Sequence, residues 1–309
     1  MPELRRDPIV GHWVIIAAER ARRPNGMPKD CDPPPPGPCP FCPGNEDKTP
    51  AEVFASGRPP HASPNGAGWR VRVVPNRFPA LRIEGDLDRQ AEGIYDRMNG
   101  LGAHEVIVET PDHGRRMTDL GDAELAEVLL AFKARILDLR NDQRFRYILL
   151  FKNHGASAGA TLDHAHSQLI ALPIVPRQVL EEIQGARRHH ELKERCIYCD
   201  VVGQERRERS RLVHEDDDFV VFAPWAPRSP FETWIVPRRH QSSFEAEPPE
   251  RLASCARALG TTLRRLDAAL GDPAYNFIVH SNPLRDGPSP SYHWHVEVRP
   301  ALTQVAGFE

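Results

Sequence analysis

Cys39-Pro40-Phe41-Cys42, then His113, then His164-Ala165-His166: the same order recurs as Cys196-Ile197-Tyr198-Cys199, His240 and His293-Trp294-His295. The interval from middle to third position is 51 residues in the first copy and 53 in the second. A thiolate pair on a tight turn with two distant imidazoles is a tetrahedral zinc arrangement. The recurrence predicts a duplicated module in which each half holds its own closed, structural metal. The ligand sets are Cys39, Cys42, His113 and His164 in the first half, and Cys196, Cys199, His240 and His293 in the second. Glu105 and Glu232 each lie eight residues before the middle histidine, which extends the alignment. The halves diverge between cysteine pair and middle histidine, where the interval is 71 residues in one and 41 in the other.

Working outward, apolar periodicity places the elements. Trp69–Val74, Glu105–Glu109, Tyr147–Phe151 and Gln168–Leu172 read as strands of the first half, and His12–Ile16 as a short β-rich run. Leu125, Val128, Leu129, Phe132, Ile136 and Leu137 mark an amphipathic helix of about five turns. The second half repeats the order: strands at Phe219–Phe222 and Glu232–Val236, a helix over Leu252–Leu270 preceded by Pro248 and Pro249, then strands at Asn276–Val279 and His293–Val298. Val175–Glu194 reads as a linking helix. Residues 25–68, rich in Pro and Gly, read as an irregular excursion stapled by the first metal. An α+β fold is expected, with an antiparallel sheet in each half and helices packed on one face. The two sheets are able to join into one. Residues 1–175 form the expected N-terminal catalytic half, and 176–309 a degenerate C-terminal repeat.

Bulk properties narrow the function classes. The 309 residues are 40% hydrophobic and 27% charged, with a net charge of −3. No global basic field favours nucleic acid. No apolar run is long enough to span a membrane, and the start lacks the apolar core of a signal peptide, so a cytoplasmic protein is expected. In a reducing compartment the two Cys-x-x-Cys pairs read as metal ligands rather than disulfides.

The densest chemical signal is Asn153-His154-Gly155-Ala156-Ser157-Ala158-Gly159-Ala160-Thr161-Leu162-Asp163-His164-Ala165-His166-Ser167-Gln168. It begins as a small-residue loop whose backbone N–H groups can approach an anion. It ends as a strand, where alternation puts His164, His166 and Gln168 on one face. Four residues already complete the first metal set, so His166 is left free. A neutral imidazole is a good nucleophile at phosphorus when its other nitrogen donates to a fixed acceptor. Gln168 is placed to donate to phosphoryl oxygens during transfer.

At these residues the chain resembles the galactose-1-phosphate uridylyltransferase family, within the histidine-triad superfamily. The resemblance includes Arg5–Val14, Arg20–Pro24, Cys39–Gly44, Val74–Ala80 and residues 153–168. It implies two tandem histidine-triad-like halves and a ping-pong nucleotidyl transfer. His166 would attack the α-phosphorus of UDP-glucose, and the uridylyl-histidine would pass UMP to a hexose-1-phosphate. Asn76 and Phe78 match the family's nucleotide-contacting segment. Asn153, Gly159, Thr161 and Gln168 match its phosphate-contacting segment, and Arg20 and Arg23 match basic residues near the sugar phosphate. The resemblance also implies a homodimer. The well-known enzymes read His-Pro-His where this chain has Ala165. A related branch of ADP-sugar phosphorylases carries the second Cys-x-x-Cys and the same His-Ser-Gln ending, so AMP transfer from ADP-glucose to phosphate is the alternative activity. A nucleotide hydrolase and a non-catalytic zinc-binding protein are the remaining alternatives. In the second half Glu297 stands at the position of Gln168 and would repel phosphate. His280 with His293 and His295 offers an iron-type alternative to the second zinc, against which the soft thiolates argue.

Overall fold

Side chains alternate along a strand, so the packing partners of each residue assign the two faces of one large sheet. The computed structural model describes residues 2–6, 13–16, 38–59 and 61–302. In chain order the elements begin with β1 (Glu3–Arg6), β2 (Trp13–Ile16), β3 (Phe54–Ser56), β4 (Val71–Pro75), β5 (Gln90–Glu92), β6 (Tyr95–Asn99) and β7 (Ala103–Val108). They continue with α1 (Asp122–Leu139), β8 (Tyr147–His154), β9 (His166–Leu172), α2 (Arg177–Lys193), α3 (Ile197–Glu208), β10 (Leu212–Glu215) and β11 (Phe219–Phe222). The last are β12 (Thr233–Pro237), α4 (Pro249–Leu270), β13 (Tyr275–His280) and β14 (His295–Pro300).

Ten strands form a single sheet in the order β10-β11-β12-β14-β13-β8-β9-β7-β4-β3, every pairing antiparallel. The order is symmetric about the β13–β8 junction: β9 and β14 correspond, as do β7 and β12. The two half-sheets join there, with Asn276 opposite Asn153. A four-stranded sheet, β2-β1-β6-β5, stands apart. Its β5–β6 hairpin is nearly all polar and exposed, so the sequence carries no apolar period to announce it.

Odd residues of β7, β9 and β13 and even residues of β8 and β14 point to the face covered by α1 and α4. Ile107, Leu150, Leu169, Phe277 and Val296 meet Leu125, Phe132, Leu259 and Leu263 there. Leu137, expected in this stripe, is 42% exposed, and Leu139 is buried instead. Gly260 costs helix α4 about 1 kcal/mol of propensity. Burial of Leu252, Leu259 and Leu263 outweighs it at about 1.5–3 kcal/mol each. A Cβ on Gly260 would lie 2.7 Å from Leu125 Cδ1, so the glycine lets the two helices approach. On the opposite face α2 and the small sheet cover Tyr147, Ile170 and Leu172. Elsewhere on that face Phe41 of the metal turn packs with Val74, Val106 and Val108, and α3 packs on Val220, Phe222 and Val236; the polar stretch between them carries the site. Among the described residues no helix is long and apolar enough to cross a membrane.

Candidate active site and metal centres

The first Cys-x-x-Cys lies on a tight turn, closed by the Cys42 N–H donating to the Cys39 carbonyl at 3.3 Å. It faces the start of β9. Cys39 Sγ and Cys42 Sγ lie 3.6 and 3.7 Å from His164 Nδ1, and Cys42 Sγ lies 3.4 Å from His113 Nδ1. Tetrahedral zinc, with Zn–S of about 2.3 Å and Zn–N of about 2.0–2.1 Å, requires an S···N separation of about 3.6 Å. The geometry and the donor set fit that ion. His164 Nε2–H donates to the Thr110 carbonyl at 2.8 Å, which leaves Nδ1 as the free ligand atom. In the second half Cys199 Sγ lies 3.6 Å from both His240 Nδ1 and His293 Nδ1, and Cys196 completes the set. Here the cysteine pair opens α3, which follows α2 rather than a strand.

His166 opens β9 beside this centre, and Phe41 of the metal turn packs 5.5 Å from its ring. Its Nδ1 lies 2.8 Å from the His164 carbonyl. A carbonyl only accepts, so Nδ1 carries the hydrogen and Nε2 bears the lone pair. The acceptor is the carbonyl of the metal-set residue His164 itself. Burial, with the Lys152 ammonium nearby, holds the imidazole down to about 4, so it is neutral at neutral pH. Beneath it, Lys152 Nζ donates to Glu109 Oε2 at 2.7 Å and to the His166 carbonyl at 3.0 Å, and Ser167 Oγ donates to Glu109 Oε1 at 2.5 Å.

Gln168 follows on the same face, with Asn76 at the end of β4 and Asn153 at the end of β8. His104, on β7, touches both Gln168 and Asn76. The loop after β8 turns at Gly155 and Gly159, with φ of +79° and +86°. Its backbone donors are turned less toward an anion than expected. The N–H groups of Ala158, Gly159 and Ala160 donate to carbonyls within the loop. The side-chain amides of Gln168, Asn153 and Asn76 share the sheet face of His166. Thr161 is exposed at the loop's end, and Phe78 is half-buried with its N–H donated to Asn76 Oδ1 at 2.9 Å. Arg20 and Arg23 lie outside the described residues.

The second half shows the same backbone and a filled site. His295 Nδ1 lies 3.1 Å from the His293 carbonyl, matching His166 and His164. Its ring is sandwiched between Trp234, at 5.1 Å, and His280, at 4.7 Å with the planes 4° apart. Trp234 pairs with Glu297 across the sheet as Val106 pairs with Gln168. A tryptophan thus occupies the place of a valine, and its ring stacks on the histidine. This register also corrects the sequence alignment: Glu232 corresponds to His104, not to Glu105. Glu105 lies on the helix face against Arg135, whereas Glu232 lies on the other face and accepts from Trp234 Nε1–H at 3.0 Å. Equal spacing to the histidine does not preserve the face, because the intervening turns differ by one residue. The three histidines of the iron-type alternative are divided as well. His293 belongs with the cysteines, while His280 and His295 group with Glu182. Burial pulls His280 down, but hydrogen bonds from it to Glu182 and Glu297 raise it to about 9. Its ring lies between two carboxylates, with Nδ1 3.0 Å from Glu182 and Nε2 3.4 Å from Glu297.

The family described as galactose-1-phosphate uridyl transferase, N-terminal domain, matches residues 1–176. An ADP-glucose phosphorylase of Arabidopsis thaliana is 35% identical, the match covering 100% of this chain and 87% of that protein. The galactose-1-phosphate uridylyltransferase of Thermotoga maritima is 27% identical over 97% of this chain and 87% of its own length. The crystal structure of the Arabidopsis ADP-glucose phosphorylase with bound ADP-glucose matches with a TM-score of 0.78 at 34% identity, covering 100% of this chain and 92% of that one. A uridylyltransferase structure matches at 0.79 with 29% identity, over 96% and 86%. The chain belongs to the galactose-1-phosphate uridylyltransferase family. The sequence reading passed over His104 and Asn276, which lie on the face that carries the site, and Lys152, Glu109 and Ser167, which pair beneath His166 on the helix face. Their signal was present. Each is a polar residue in or beside a strand of the buried sheet, and such a residue must find a partner.

Proposed function

We propose that this chain transfers a nucleotidyl group from a nucleoside diphosphate sugar through a covalent intermediate on His166. The observation that carries the reading is a neutral imidazole with Nδ1–H committed to a backbone carbonyl and Nε2 left as a lone pair beside three side-chain amides. Nε2 attacks the α-phosphorus, the bond from that phosphorus to the bridging oxygen breaks, and the sugar phosphate leaves with the electron pair. In the second step an acceptor phosphate oxygen attacks the nucleotidyl-histidine and His166 is regenerated. Amide donors from Gln168, Asn153 and Asn76 meet the phosphoryl oxygens. Each half holds one zinc, which serves to fix geometry. Residues 1–175 carry the chemistry, and the half over 176–309 is a degenerate repeat that buttresses it.

Two donors suit this chemistry. Reading the sequence led to UDP-glucose with a hexose-1-phosphate acceptor. ADP-glucose with inorganic phosphate as acceptor draws support from the full-length 35% identity to an ADP-glucose phosphorylase and from the assembled second Cys/His set. Intact mass after exposure to each nucleotide sugar, without acceptor, separates them. An adduct is expected on the unmodified chain and absent from His166→Gly, and its mass names the nucleotide. No adduct with either sugar would refute the reading.

A further inference from the structure

Two side chains outside the expected set, His104 and Asn276, each grip one amide of the site. Their hydrogen-bond polarity can be followed from backbone groups, since an N–H only donates and a C=O only accepts. The Ala80 N–H donates to His104 Nδ1 at 3.0 Å, so this nitrogen holds the lone pair and Nε2 the hydrogen. Nε2 lies 2.9 Å from Gln168 Oε1 and donates to it. The planar amide then turns Gln168 Nε2 away from His104. Asn76 Nδ2 is a second neighbour of His104 Nε2, at 3.2 Å. Asn76 Oδ1 is already fixed by the Phe78 N–H, so that contact joins two hydrogen-bearing nitrogens and is not a hydrogen bond.

The other grip runs in the same sense. The Ala158 carbonyl accepts from Asn276 Nδ2 at 2.9 Å, which identifies that end of the Asn276 amide as nitrogen. Its second hydrogen goes to Asn153 Oδ1 at 2.8 Å. Asn153 Nδ2 is left on the side of Gly159, where a Cβ would lie 3.6 Å from it. Among the described residues neither Gln168 Nε2 nor Asn153 Nδ2 has an acceptor.

We propose that His104 and Asn276 are positioning residues, each holding a site amide by its oxygen so that the –NH2 end meets the phosphoryl oxygens beside His166. The inference rests on the nucleotidyl-transfer reading above. An amide is nearly symmetric in shape, and a flipped one would turn a lone pair toward an anionic oxygen. Fixing its sense beforehand removes both that repulsion and the ordering cost at the moment of transfer.

The polarity is readable without catalysis. Nitrogen NMR of the zinc-loaded full chain, labelled at histidine, is expected to show a neutral His104 with its hydrogen on Nε2, the signal assigned by its loss in His104→Phe. A hydrogen on Nδ1, or on both nitrogens, would overturn the proposal. Single-turnover transfer from ADP-glucose or UDP-glucose then gives two double-mutant cycles. His104→Phe and Asn276→Leu should each slow transfer about 10- to 100-fold. In Gln168→Ala, adding His104→Phe should cost under about 3-fold, and likewise Asn276→Leu in Asn153→Ala. Losses that multiply instead would sink the idea, because a merely structural role does not depend on the partner amide. His104→Gln, which keeps a donor, should recover part of the rate. If the unmodified chain transfers neither nucleotide, the nucleotidyl-transfer reading fails by itself, and the ring spectrum still decides the polarity.

Discussion

In the proposed transfer a single imidazole carries the chemistry, and its protonation is controlled from both ends. Nδ1–H is committed to the His164 carbonyl, and burial beside Lys152 keeps the ring neutral. An ordinary histidine near 6.5 would lose about nine-tenths of its neutral form by about pH 5.5. His166, held at about 4, remains mostly neutral there. The rate of adduct formation should therefore stay flat from pH 8 to about 5.5. A midpoint near 6.5 in stopped-flow single turnovers would contradict the assignment. Lys152 itself is the other decisive residue at this scale. It is buried against Glu109, and both side chains are almost fully inaccessible. Lys152→Met leaves a buried carboxylate unpaired and should cost about 3–5 kcal/mol in urea unfolding. Lys152→Met combined with Glu109→Leu should cost less than Lys152→Met alone, since no unpaired charge remains.

Among the elements, the loop between β8 and β9 is the most constrained. Gly155 has φ +79° and ψ 152°, a region essentially reserved for glycine. A Cβ there would also lie 2.7 Å from Ala274 Cβ, at the start of β13. Gly155→Ala should destabilise by about 1–3 kcal/mol or more and weaken nucleotide binding, as read by thermal melts with and without ADP. An unchanged ADP-induced shift in melting temperature would show that the loop tolerates displacement. The same contact ties the second half to this loop. Asn276 and Ala274, both of that half, hold the Asn153 side chain and the Gly155 turn. The long strands and α1 and α4 were legible in the sequence, because amphipathic periods survive in any context. The β5–β6 hairpin and α3 were not, since one is mostly polar and exposed, with Met98 its one core residue, and the other begins at a metal turn.

Across the whole molecule, two half-sheets share one edge, and the metal centres sit at corresponding places in each. About two zinc ions per chain are expected by elemental analysis. Cys39→Ser should lose one and slow adduct formation, because His164 both binds that metal and supplies the carbonyl that orients His166. Cys199→Ser should also lose one, with a smaller effect on adduct formation. Equal effects of the two variants would argue against distinct roles for the halves. The sequence by itself determined the duplication, the composition of both metal sets and the strand bearing His166, since ligand type and spacing are properties of the chain. It did not determine which face Glu105 and Glu232 occupy, because one residue more in a turn reverses every side chain after it. Only the tertiary structure decided that His104 and Asn276 reach the site, that Trp234 fills the second one, and that His293 parts from His280 and His295. Those outcomes depend on which strands lie side by side, and β8 meets β13 across more than a hundred residues of chain.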